Sequence, residues 1–228
     1  MREIVRYRSI RGDDYRHVWV VGDLHGCYQQ LKQQLIARKF DERCDLLIAV
    51  GDLIDRGTDS AACLALLDAP WFISVAGNHE CMAYAALQGE SSDHWRNNGG
   101  DWYFELSPIH RHSIDRLIQL TESLPHVLEV NVQTCLYVIA HADYPSARYD
   151  LGLPVNVDDV VWGRRRLLRA QSGDYQRIEG ADRFIFGHTP LKKVCAYANQ
   201  KKVCAYANQI YLDTGAVYGG PLSMVRLR

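Results

Sequence analysis

Leu46-Leu47-Ile48-Ala49-Val50, followed by Gly51-Asp52-Leu53-Ile54-Asp55-Arg56-Gly57, is the stretch from which the fold of this chain is read. An apolar run closed by a glycine predicts a buried strand. Polar residues crowd the turn beyond it, where ligand and catalytic groups gather outside the carboxyl end of a strand. Asp52 and Asp55 offer hard oxygen donors or acid–base partners, and Arg56 is a forked donor suited to phosphate oxygens. Alone, a glycine-flanked aspartate after a strand is ordinary turn chemistry.

Repetition changes that reading. His17 to Val21 is a similar run ending in Gly22-Asp23-Leu24-His25-Gly26, and Trp71 to Ala76 ends in Gly77-Asn78-His79-Glu80. Asp23, Asp52 and Asn78 are successively 29 and 26 residues apart, each spacing close to one βαβ unit. Cys135 to Ala140 runs into His141-Ala142-Asp143, and Arg183 to Phe186 into Gly187-His188-Thr189. Five strands thus deliver Asp, His or Asn from their carboxyl ends, and parallel strands in one sheet would bring several of these ends together. Helices are expected over Tyr28 to Lys39, Ala61 to Leu67 and His79 to Leu87. The first hundred residues therefore read β-α-β-α-β-α, a layered α/β arrangement.

The rest is less regular. Residues 1–16 read as a short edge strand and loop. Trp95 to Trp102 holds the turn Asn97-Asn98-Gly99-Gly100, a surface loop whose tryptophans pack down or, alternatively, form a cleft wall. His110 and His112 fall in a polar, solvated stretch. Ile114, Leu117, Ile118, Thr121 and Leu124 mark an amphipathic helix stopped by Pro125. Strands are expected at Val127 to Val132, Cys135 to Ala140, Arg183 to Phe186, Ile210 to Asp213 and Leu222 to Leu227. Between them Asp158 to Arg169 carries Trp162 and the run Arg164 to Arg166, a solvated basic face from which one arginine can point inward.

The 228 residues, 47% of them apolar, suffice to bury one core, so residues 1–228 read as a single domain. A formal net charge of −1 leaves no nucleic-acid footprint, and no apolar run has membrane-spanning length. The polar stretch from Arg2 to Arg16 lacks the apolar core of a signal peptide. Seven scattered cysteines, none spaced C-x-x-C, fit a reducing cytoplasm better than a disulfide or zinc scaffold. A monomer or weak oligomer is expected.

Asp23, His25, Asp52, Asn78, His141 and His188 make a mixed nitrogen and oxygen donor set without thiolates, which suits Mn2+, Fe or Zn2+. Two such ions ~3.5–4 Å apart can share one carboxylate, and Asp52, from the middle of the first three strands, is the natural bridge. Such a pair clamps a tetrahedral phosphorus and presents a nucleophile already deprotonated near neutral pH. His79, beside Asn78, can protonate the leaving alkoxide; Asp55 is the carboxylate that would orient it, and Arg56 would hold phosphate oxygens.

These residues match a family. Gly-Asp-x-His-Gly at Gly22, Gly-Asp-x-x-Asp-Arg-Gly at Gly51 and Gly-Asn-His-Glu at Gly77 resemble the phosphoprotein phosphatases among the metallophosphoesterases. The resemblance extends to His141 and to Gly187-His188. It is nearest the small bacterial and phage lambda type serine/threonine phosphatases through His141-Ala142-Asp143 and Trp162-Gly163-Arg164. It implies that Asp23, His25 and Asp52 hold one divalent metal ion and Asp52, Asn78, His141 and His188 a second, with Mn2+ the expected metal. It implies His79 and Asp55 as the acid pair, Arg56 and Arg164 as phosphate clamps, and a further phosphate contact from Asn78. It also implies a phosphorylated protein as substrate, and a sandwich of two mixed β-sheets flanked by helices, which the spacing alone does not distinguish from an open sheet. Phosphoserine and phosphothreonine are the implied targets, with phosphotyrosine and phosphohistidine left open.

Departures bound the resemblance. Ala76 stands where the larger eukaryotic members carry arginine, and their toxin-binding C-terminal loop has no counterpart, which argues against their toxins and regulatory subunits. Bacterial diadenosine tetraphosphate hydrolases resemble Gly22 to Cys27, but they lack the Asp-Arg pair and carry Asp at the position of Glu80. A nucleotide hydrolase is therefore the rival substrate class, and a non-catalytic binding module is disfavoured because the ligand positions are intact. Finally, Lys192 to Gln200 recurs unchanged as Lys201 to Gln209. Nine is odd, so a slip by one copy would invert a strand's faces; one copy is expected to pair, the other to form an exposed hairpin or loop, and neither to carry a ligand.

Overall fold

The computed structural model describes residues 5–191 and 204–228. The first copy of the repeat, with Lys201 to Val203 of the second, lies outside the described residues.

In chain order the elements are β1 (Tyr7–Arg11), β2 (Val18–Val21), α1 (Tyr28–Ala37), β3 (Leu46–Ala49), α2 (Ser60–Ala65), β4 (Phe72–Ser74), α3 (Asn78–Leu87), α4 (Asp93–Trp95), α5 (Asp101–Phe104), α6 (Pro108–Leu120), β5 (Val127–Val132), β6 (Cys135–Ala140), α7 (Val157–Trp162), α8 (Arg165–Gln171), β7 (Arg183–Phe186), β8 (Cys204–Tyr206), β9 (Gln209–Tyr211) and β10 (Met224–Arg226). They form two mixed sheets, one ordered β10-β2-β3-β4 and the other β1-β5-β6-β7-β9-β8. In the first, β2, β3 and β4 run parallel and β10 antiparallel. In the second, β6, β7 and β9 run parallel to one another.

Strand periodicity explains the layers. Val18 and Val20 on β2, with Leu46, Ile48 and Val50 on and after β3, face an apolar core shared with Leu128, Val130, Ile139, Ile185 and Ile210 of the other sheet. Their neighbours Trp19, Val21, Leu47 and Ala49 point the opposite way, onto α1, α2, α3 and α6. Across the molecule, Val138, Ala140, Phe184 and Phe186 turn outward beneath α7 and α8. Strands buried on both faces read as continuous apolar runs, which is why the sequence shows no polar alternation at β2, β3 or β7.

Two expectations are corrected. α6 begins at Pro108 rather than at Ile114, because the Ser107 side chain accepts from the His110 N–H and Pro108 occupies the first helical position. Trp95 to Trp102 is not a plain loop: α4 and α5 flank a single π-helical turn, Arg96–Gly100. The second repeat copy supplies β8 and opens β9, which pair antiparallel. Asn208 joins them to the rest by donating to the Ile178 and Ala181 carbonyls.

Candidate active site

The carboxyl ends of β2, β3 and β4 in one sheet meet those of β6 and β7 in the other, and the turns after them carry Asp23, Asp52, Asn78, His141 and His188. All five are buried, as are His25, Asp55 and His79. His25 (φ 39°), Asp52 (φ 49°), Asp55 (φ 74°), Arg56 (φ 69°) and His188 (φ 69°) all sit in the left-handed region. Each such non-glycine residue costs ~1–3 kcal/mol and persists where its surroundings over-determine it, as at functional sites.

Glu80 supplies much of that constraint. Its carboxylate accepts the N–H groups of Asp52 (2.8 Å) and Gly77 (3.0 Å) on Oε2 and of Leu53 (2.8 Å) on Oε1. A Cβ at Gly77 would lie 2.3 Å from Asp52 Oδ1 and 2.8 Å from Glu80 Oε2, so only glycine leaves room. The motif Gly-Asn-His-Glu thus ties the turn after β3 to the start of α3.

Backbone carbonyls set the imidazole tautomers. His25 Nδ1 lies 2.8 Å from the Ile54 carbonyl and His141 Nδ1 2.7 Å from that of Val50. Each Nδ1–H donates there, which leaves Nε2 as a lone-pair donor for a cation. Asn78 Oδ1 stands 2.9 Å from both His141 Nε2 and His188 Nδ1; these nitrogens are 3.2 Å apart, and Asp52 Oδ1 is 3.3 Å from His141 Nε2. Neighbouring donors on an octahedral ion with bonds of ~2.1 Å would be ~3.0 Å apart, so the cluster fits a divalent cation. His188 Nε2 is buried and has no hydrogen-bond partner among the described residues.

Among the described residues two triads can hold metal, Asp52–His141–His188 and His25–Asp52–His79, the ligand atoms of each lying within 4.8 Å of one another; Asp52 belongs to both. Asp23 reaches the site from the side, where its carboxylate accepts the His188 N–H at 2.9 and 3.1 Å. Burial, together with the charge of Asp213, pushes its carboxyl up. Burial lowers His25 and His188 to about 3, so both are neutral. Burial opposes charge on His141, yet Asp52 and Asp23 push it up to about 10; the same carboxylates that favour a proton on Nε2 would favour a cation in its place, with the proton released.

His79 Nδ1 lies 2.6 Å from Asp55 Oδ2, and its Nε2 faces Asp52 Oδ2 at 3.9 Å. Arg56 donates from Nη1 to His25 Nε2 (2.6 Å) and from Nη2 to His79 Nε2 (2.8 Å). The three consecutive arginines separate. Arg164 is exposed and donates to Thr189 Oγ1 beside His188 (3.3 Å). Arg166 is tied to Asp143 and to the Tyr144 and Ser146 carbonyls. It lines a separate cavity with Arg165 and Arg169. Sequence reasoning left unassigned Glu80, Trp95 and Trp102, the last two being donors to Asp55, and Tyr218, whose ring lies under Arg56. The paired tryptophans around Asn-Asn-Gly-Gly were the signal for two of them.

Comparison with known proteins identifies the family. The family model described as calcineurin-like phosphoesterase matches residues 16–209. Serine/threonine-protein phosphatase 2 of Salmonella typhimurium is 44% identical over 226 residues, 99% of this chain and 100% of that protein. A symmetrical bis(5'-nucleosyl)-tetraphosphatase of Edwardsiella ictaluri is 36% identical over 135 residues, 58% of this chain and 45% of that protein. A solved structure titled as an unconfirmed diadenosine tetraphosphatase superposes with a TM-score of 0.70 at 23% identity, covering 98% of this chain and 94% of its own, a likeness of fold alone.

Proposed function

The chain belongs to the calcineurin-like phosphoesterase family, and from that premise we propose that it is a metal-dependent protein phosphatase acting on phosphoserine and phosphothreonine. The observation that carries the reading is Asp52 standing in both donor triads, with the His79–Asp55 pair and Arg56 at its edge. Phosphoprotein is preferred over dinucleoside polyphosphate because the similarity to the phosphatase spans both chains, whereas that to the tetraphosphatase spans less than half of the latter.

Asp23, His25 and Asp52 would hold one cation and Asp52, Asn78, His141 and His188 the other. Bound there, two divalent ions supply Lewis acidity to phosphate oxygens and lower the pKa of water. Mn2+ is proposed because a nitrogen and oxygen set holds it less tightly than later transition metals, so added Mn2+ matters most.

The chain's own groups do the rest. Arg56 donates to the Nε2 atoms of His25 and His79; a phosphate is a better acceptor for a guanidinium, so Arg56 turns to it, opposite Arg164, and frees His79 Nε2 to carry a proton. Asn78 adds a neutral contact. His79 gives the proton on Nε2 to the leaving serine oxygen, while Asp55 holds Nδ1–H and stabilises the imidazolium before transfer. The protein is proposed to act in the cytoplasm, as a monomer or weak oligomer; no helix among the described residues is long and apolar enough to cross a membrane.

The test is hydrolysis of a phosphoseryl peptide, read as released phosphate, and of diadenosine tetraphosphate, read as released nucleotide, side by side, with chelated and Mn2+-replenished protein. Peptide hydrolysis restored by Mn2+ is expected. A preference for the dinucleotide overturns the substrate class, and full activity in metal-free protein overturns the metal requirement.

A further inference from the structure

We infer that Trp95 and Trp102 are positioning residues for the acid pair: their indole N–H groups fix the Asp55 carboxylate and keep it turned toward His79. This rests on the assignment of His79 as the acid.

Asp55 is fully buried. Among the described residues its side chain forms an ion pair with His79 alone. A buried carboxylate needs donors for its oxygens, and those donors fix its orientation. Trp95 Nε1 donates to both oxygens, at 3.0 Å to Oδ1 and 2.9 Å to Oδ2, and Trp102 Nε1 donates to Oδ1 at 2.7 Å. Oδ2 is then left facing His79 Nδ1 at 2.6 Å. Indole N–H is a donor only and does not titrate. Neither tryptophan can take a proton from the pair.

The chain builds this arrangement deliberately enough to leave a backbone signature. Trp95 ends α4 and Trp102 lies in α5, and the π-helical turn between them has Gly99 at φ 105°. That turn brings the indoles together edge to face, with ring centroids 6.5 Å apart. Its Gly99 carbonyl accepts the Arg56 N–H at 3.4 Å. A Cβ at Gly99 would lie 2.9 Å from Arg56 Cγ. One turn therefore secures both Asp55 and Arg56, two adjacent residues in left-handed backbone. Packing alone does not account for it: Trp95 is buried against Tyr103 and Phe104, but Trp102 is only half-buried and still aims its nitrogen at the carboxylate.

The test separates the N–H from the ring. Trp102→Phe, and Trp102 replaced by the isosteric benzothienyl analogue that lacks only the N–H, are loaded with Mn2+ and assayed on a phosphoseryl peptide and on nitrophenyl phosphate. The peptide's alkoxide leaving group needs the acid far more than nitrophenolate does. Losing a hydrogen bond to the buried carboxylate should lower the peptide-to-nitrophenyl kcat ratio about tenfold, with metal content and a cooperative thermal transition retained in the analogue. A ratio unchanged within about twofold, or equal losses on both substrates, overturns the inference, since a structural role moves both alike. His79→Asn in the same assay tells the two failures apart. If it lowers the ratio and the tryptophan changes do not, the inference alone fails; if it leaves the ratio unchanged, the assignment of His79 fails first.

Discussion

Replacing Glu80 by glutamine tests whether one buried carboxylate holds the turn that carries Asp52. Glu80 accepts three backbone N–H groups at 2.8–3.0 Å. A glutamine turned to keep its oxygen at the position of Oε2 retains the bonds from Asp52 and Gly77, but its NH2 then faces the Leu53 N–H. One orphaned buried donor costs about 1–3 kcal/mol, and two bonds losing charge assistance forfeit about 0.5–1 kcal/mol each. Relief of the buried charge offsets part of this, so the expected net destabilisation is about 2–4 kcal/mol. For a chain of this size that lowers Tm by about 4–16 °C. A slackened Asp52 turn should also weaken metal binding by about 10–100-fold, as for other groups that orient ligands. Burial and the neighbouring Asp52 charge push Glu80 up to about 7, so measurements belong at about pH 8, where the wild-type carboxylate is ionised. Scanning calorimetry of metal-free protein, followed by Mn2+ titration calorimetry, reads both effects. A Tm within about 1 °C of wild type together with unchanged Mn2+ affinity would refute the reasoning.

Arg164→Ala should raise KM or lower kcat on phosphoseryl peptide by about tenfold or more, the scale of a lost charge-assisted contact, whereas Arg165→Ala should not; equal small effects would restore the solvated-face reading. Acid should destabilise the fold through His126, which burial and then Arg6 lower from 6.5 to about 4. Because its folded pKa lies below its unfolded one, that stability is present above pH 6.5 and is lost as pH falls toward 4, by roughly 3 kcal/mol. His126→Gln should flatten the urea-midpoint profile over that window, and an unchanged slope would show that His126 is not the group. Deleting Lys192 to Gln200 or Lys201 to Gln209 yields the same chain, and the remaining copy can supply β8 and the Asn208 bonds. Metal content and kcat should stay within about twofold and Tm should rise slightly, since connection length is worth only ~0.6 kcal/mol per doubling; loss of metals or of the fold would show that both copies are structural.

Strand-end chemistry was legible along the chain because it is local. A strand, a glycine and the polar residues after it are covalent neighbours, so Asp23, Asp52, Asn78, His141 and His188 could be gathered from spacing, and the helices α1 to α3 from periodicity. The partition of those strands was not legible. β2, β3, β6 and β7 carry apolar residues on both faces, and a run without alternation does not reveal which sheet it joins or which core each face meets. Only the folded chain decides that the site lies between two sheets. It alone distinguishes Arg164 from Arg166, since adjacent arginines are equivalent until Asp143 and the Tyr144 carbonyl claim one of them. The same holds for Asp55 and the indoles 40 and 47 residues away. An indole N–H has no sequence signature of its own. Its role comes from the π-helical turn at Gly99 and from packing that brings distant segments against a buried charge, and those contacts exist only once the tertiary structure has closed around them.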